Sequence, residues 1–121
     1  MIHADRPILR VVRMDFRAEA CGPFDLLFEG ARSRIAAVPG CLGVTCLSDV
    51  AGGGGRTTFS VWQSERALEA YRESALFKEV WALTKPGFQS RPVAWSMPVD
   101  ASFIASAAAY LGASNDSPCW P

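Results

Sequence analysis

Trp62, Tyr71, Ser74 and Trp81 are the side chains of this sequence best suited to handling a small molecule. Trp62 closes a short β-rich run, Phe59-Ser60-Val61-Trp62, and the other three follow in a helical stretch. On a continuous helix Tyr71, Ser74, Lys78 and Trp81 fall within one sector. If that sector faces a sheet, large rings with hydroxyl and indole donors line one wall of a cavity. The competing reading is plain core, with Tyr71 and Trp81 as packed aromatics and Lys78 in solvent. Arg13 and Asp15 are two apart on a strand and share a face. One could orient a phenolate while the other accepts its proton; a surface or interface ion pair is the alternative. His3 is the one histidine and the one side chain with an ordinary pKa near neutrality. It sits in an N-terminal segment, where order is least expected.

Composition narrows the function classes. The chain has 121 residues, enough for one domain with one core. Twelve basic and twelve acidic residues cancel, so no charge surplus points to nucleic acid. No apolar run is long enough for a membrane span. The N-terminal Met1-Ile2-His3-Ala4-Asp5-Arg6-Pro7 lacks the apolar core of a signal peptide, and a cytoplasmic protein is expected. Cys21, Cys41, Cys46 and Cys119 form no CxxC pair. Cys41 and Cys46 are five apart in a strand-like run, which predicts opposite faces. With one histidine, a zinc or iron site built by the protein is not expected.

The elements that must position these residues are legible in outline. Ile8–Phe16 alternates in part and reads as a strand, with Leu9 and Val11 opposed to Val12 and Met14. Gly22-Pro23 opens a helix. Its stripe runs through Phe24, Leu27, Phe28, Ala31, Ile35 and Val38, leaving Arg32 to Arg34 off it. Pro39-Gly40 stops that helix, and Cys41–Val50 is a second strand. There, Leu42, Val44 and Cys46 share one face. Gly52-Gly53-Gly54-Gly55 precedes a strand and lacks a following lysine, so it reads as a hairpin loop and not a phosphate cradle. Arg56–Gln63 is the third strand. Ser64 caps a helix to about Ser74, which a second piece, Ala75–Thr84, either continues or bends from. Arg91–Met97 is the fourth strand, with Val93, Trp95 and Met97 on one face. Trp95 reads as core or interface. Beyond it, Ala101–Leu111 suits a short helix and Asn115-Asp116-Ser117-Pro118 a turn. This tail could cover a pocket mouth, swap onto a partner or stay loose.

The order β-α-β-β-α-β predicts an α+β, ferredoxin-like domain over residues 1–98: a four-stranded antiparallel sheet with both helices on one face. Residues 99–121 are read as a C-terminal extension of that domain. Both sheet faces carry apolar residues and the helices cover one, so a homodimer packed sheet to sheet is expected.

Across residues 8–98 the ordered set of motifs resembles the antibiotic biosynthesis monooxygenase family of dimeric α/β barrels. The set comprises Arg10-Val11-Val12-Arg13-Met14, the Val38-Pro39-Gly40-Cys41 turn, Phe59 to Trp62, Tyr71-Arg72, Ser74 to Trp81 and Pro92 to Ser96. The resemblance implies a cofactor-independent oxygenase acting on an aromatic or polyketide-like small molecule. In such chemistry a deprotonated phenol reduces oxygen directly. The protein supplies a dry pocket, an acceptor and a donor for the oxyanion. It implies roles in catalysis for Trp62, Tyr71, Asp15 and Arg13, with the Trp62 indole donating to a substrate oxygen. Phe28, Phe77, Trp81 and Ser74 would contact the substrate. It implies no cofactor and no metal. The haem-degrading branch of the family uses an Asn, a Trp and a His ligand. These positions fall at or near Asp15, on Tyr71 and on Trp81, and an indole cannot ligate iron. A non-catalytic ligand-binding or accessory dimer, or a cofactor-free isomerase or cyclase, remains the alternative.

Overall fold

The computed structural model describes residues 6–111; His3, Cys119 and the Asn115–Pro118 turn lie outside them. The elements run β1 (Ile8–Asp15), α1 (Ala18–Ala36), β2 (Cys41–Ser48), β3 (Gly55–Trp62), α2 (Glu65–Arg72), α3 (Ala75–Thr84), β4 (Val93–Pro98) and α4 (Ala101–Leu111). A 3-10 turn at Lys85–Gly87 follows α3. The sheet order is β2-β3-β1-β4, antiparallel throughout, which is the ferredoxin-like α+β arrangement. β1 is central, pairing Val12 with Thr58 of β3 and with Ala94 of β4.

Alternation along β1 and β3 decides what each side chain faces. Arg10, Val12 and Met14 look toward α1, α2 and α3, as do their partners Ser60, Thr58 and Arg56. Phe24, Phe28, Ala31 and Ile35 of α1 pack against Met14, Val44 and Cys46 to form the main core. Ile8, Trp62 and Leu68 form a second cluster beside it.

Three local readings change. α1 begins four residues before Gly22, so Pro23 stands inside it. Its start is anchored by tertiary contacts: the Arg17 N–H donates to Gly87 O, and its guanidinium donates to Phe88 O and Pro86 O. Arg32, placed off the apolar stripe by sequence, is buried and donates from Nε to Val44 O at 3.2 Å. In β2 a bulge falls between Cys41, opposite Trp62, and Gly43, opposite Val61. The extra residue reverses the alternation, so Cys41, Val44 and Cys46 share the helix-facing side. The predicted opposition of Cys41 and Cys46 therefore does not hold. Gly43 takes φ +152°, which suits glycine.

The outer face of the sheet is partly covered. α4 packs across β2 and β3, and Leu111 sits directly over Gly43. β4 stays bare: Val93, Trp95 and Met97 are 49%, 49% and 40% exposed. No helix among the described residues is long and apolar enough to cross a membrane.

Candidate functional site

A cavity of about 300 Å³ lies between the helix layer and the sheet. This is the lower end of the usual size range for small-molecule sites. Its floor is the inward face of β1 and β3, from Arg10 to Met14 and from Thr58 to Trp62. Phe28 and Ile35 of α1 close one side, Tyr71 and Arg72 of α2 another, and Phe77 and Trp81 of α3 a third.

The aromatic side chains form a chain of contacts around this space. Trp62 stacks on Tyr71 with ring centroids 5.0 Å apart. Tyr71 meets Phe77 edge-on at 5.2 Å, and Phe77 stacks on Trp81 at 5.7 Å. Trp81 then meets Phe88 edge-on. Such pairs are rigid and apolar, and they hold the cavity open without flexible side chains.

The break between α2 and α3 makes this arrangement possible. Ser74 is the N-cap of α3: its Oγ accepts from the Phe77 N–H at 3.1 Å and donates to Tyr71 O at 2.6 Å. Ser64 caps α2 in the same way, accepting from the Ala67 N–H. Ser74 is thus committed to the backbone and is absent from the cavity lining. The helix is not continuous, so the single sector drawn through Tyr71, Ser74, Lys78 and Trp81 is interrupted. Tyr71 and Trp81 still meet through Phe77, while Lys78 is exposed.

Trp62 is fully buried, and its indole N–H donates to Ser60 Oγ at 2.9 Å. The donor expected to reach a substrate oxygen is therefore occupied within the protein. The Tyr71 hydroxyl has no hydrogen-bond partner among the described residues. Burial, with a smaller contribution from Cys41, pushes its pKa up to about 12. It is a neutral phenol at physiological pH, able to donate a hydrogen bond and unable to serve as a resident base. Burial likewise raises the Cys41 thiol.

Arg13 and Asp15 stand on the opposite face of the sheet. Arg13 holds Asp49 through Nη1 at 2.6 Å and Nη2 at 2.9 Å, and reaches Asp15 at 2.9 Å. That hydrogen bonding raises Arg13 and lowers Asp49 from their ordinary values. The cluster ties β1 to the turn after β2 and does not line the cavity.

The charged residues that do line it are Arg10 and Arg72, which the sequence reading passed over. Arg10 shares the face of Val12 and Met14, a fact readable from strand alternation. Arg72 lies four residues after the buried Leu68, on the same side of α2. Among the described residues the lining contains no carboxylate, imidazole or thiol. No cluster of three metal-ligating side chains occurs among them either.

Residues 7–82 match the family model described as antibiotic biosynthesis monooxygenase. No curated protein matches the chain. Solved structures share the fold. A Caulobacter crescentus protein superposes with a TM-score of 0.75 at 19% identity, covering 82% of this chain and 94% of that one. The Mycobacterium tuberculosis protein Rv0793 gives 0.72 at 20% identity over 79% and 98%. A point mutant of SnoaB from Streptomyces nogalater, described as a cofactor-independent oxygenase, gives 0.69 at 15% identity over 78% and 93%.

Proposed function

The chain belongs to the antibiotic biosynthesis monooxygenase family, and from that membership we propose that it is a cofactor-independent monooxygenase-like enzyme acting on a hydroxylated aromatic or polyketide-like small molecule. The observation that carries this reading is the aromatic cavity between helices and sheet, with the neutral Tyr71 phenol in its wall as a donor that has no hydrogen-bond partner among the described residues. The description of SnoaB as a cofactor-independent oxygenase supports the same class.

The chemistry asked of the protein is modest. A ring methylene held between two aromatic rings, at least one of them hydroxylated, is oxidised by dioxygen to a ketone, and water leaves. One oxygen atom enters the product and the other becomes water, with all electrons drawn from the substrate. Phe28, Phe77 and Trp81 contact the ring system and exclude water. Tyr71 donates to the substrate oxygen on which negative charge resides. Trp62, fixed by Ser60, backs the Tyr71 ring and sets its position. Ser74 acts one step removed, by capping the helix that carries Phe77 and Trp81.

The working unit is proposed to be a homodimer. β4 presents Val93, Trp95 and Met97 to solvent on a sheet face that α4 covers only over β2 and β3. A second copy of this face is the partner that fits it.

One observation favours a second reading. Among the described residues the cavity lining has none suited to act as a general base, which fits a ligand-binding or accessory protein as well as an enzyme. Metal-stripped protein given a hydroxylated anthrone separates the two. Equimolar oxygen uptake, reduced in Tyr71→Phe, is expected of the enzyme. Binding without oxygen uptake would leave the accessory role, and no binding would remove the cavity as the site.

A further inference from the structure

Arg10 and Arg72 are the only charged side chains among the described residues that line the cavity. Arg10 is half-buried in its floor and spends Nη1 on a neutral acceptor, Ser96 Oγ at 3.0 Å. Among the described residues it has no carboxylate partner. Arg72 is exposed at the rim and meets Glu69 at 3.3 Å, one turn back on the same helix. The two guanidiniums are close enough to repel. Burial lowers the Arg10 pKa, Arg72 lowers it further, and Glu69 opposes them. Counting Glu69 against its helix neighbour Arg72 leaves one uncompensated positive charge beside a space with aromatic walls.

A half-buried guanidinium that bonds only a neutral hydroxyl keeps its charge available to a ligand in the cavity. The fold does not need Arg10 for pairing, since Ser96 and Ser60 on either side of it are small and neutral. A planar aromatic body bearing an anionic oxygen would meet the aromatic walls and the guanidiniums at once, and guanidinium forks suit such oxygens. Resting on the reading of this cavity as an aromatic-ligand site, we infer that Arg10 and Arg72 form an anion clamp and that the ligand is an aromatic anion, bound already ionised. This also answers the missing base: the clamp selects a ligand that has lost its proton to water before it is bound.

The test compares 2-naphthoate with its neutral isostere 2-naphthamide by calorimetry on the wild-type protein. Naphthoate should bind more tightly by about tenfold or more, as charge-assisted contacts outweigh neutral ones. Arg72→Gln, at an exposed position, should narrow that preference without disturbing the fold. Arg10→Gln combined with it should abolish the preference for the anion over the amide. In wild type, the Arg10 Nε–H resonance should shift on addition of naphthoate and not of naphthamide. Equal binding of the two probes, or a preference that survives the double replacement, overturns the clamp and leaves the aromatic site standing. Failure of both probes to bind overturns the site together with the clamp.

Discussion

Trp62 donates its indole N–H to Ser60 Oγ at 2.9 Å, two residues back along the same face of β3. The bond closes a fully buried donor inside the strand that carries it, and so fixes the ring on which Tyr71 stacks at 5.0 Å. Ser60→Ala should cost roughly 1–3 kcal/mol, because it strands that donor. In a Trp62→Phe background the same change should cost far less. Urea denaturation of the four proteins gives the coupling. An equal cost in both backgrounds would show that the bond contributes nothing.

Tyr71→Phe removes a hydroxyl that has no hydrogen-bond partner among the described residues. Its effect on stability should stay within about 0.5 kcal/mol. Aromatic ligand affinity or turnover should nevertheless fall, by several-fold to about tenfold for one hydrogen bond. Loss of stability without loss of binding would place Tyr71 in the core alone.

The buried Tyr71 phenol gives a pH signature. The chain has two tyrosines, so a Tyr110→Phe variant leaves Tyr71 as the sole one. Its ultraviolet titration should centre near pH 12 in the folded protein, against an ordinary value of 10.0 in urea. Between these values the folded state holds the proton and the unfolded state does not. Stability is therefore intact below the lower value and falls as pH rises through the window. A native titration at the ordinary value would mean that the ring is solvated.

Sedimentation at micromolar concentration should give a dimer mass. Trp95→Asp, placed on the bare β4 face where Trp95 is 49% exposed, should yield a folded monomer. A monomeric wild-type protein would remove the need for a partner on this face.

Gly43→Ala tests how α4 is seated. A β-carbon at Gly43 would stand 2.5 Å from the Leu111 carbonyl carbon, on a residue whose φ is +152°. The substitution should cost more than about 1 kcal/mol. It should also raise amide exchange in Ala101–Leu111 ahead of the rest of the protein. Unaltered exchange there would show that α4 does not depend on β2.

Local period and turn chemistry were enough to read the order of strands and helices. Phe24, Phe28 and Ile35 repeat at helical spacing, Val12 and Met14 alternate on β1, and Ser64 marks a cap; each of these signals lies within a few residues of what it specifies. The same alternation already separated Arg10 from Arg13. What it left open was which of the two faces the three helices would cover, since both faces of β1 are apolar enough to be buried. Tertiary structure decided that, turning Arg10 inward to the cavity and Arg13 outward to Asp49. It also decided the β2 bulge that brings Cys41 to the side of Cys46 and the docking of α4 over Gly43. The physical reason is common to all of them: each depends on contacts between segments far apart in the chain, whose energies no short window of residues contains.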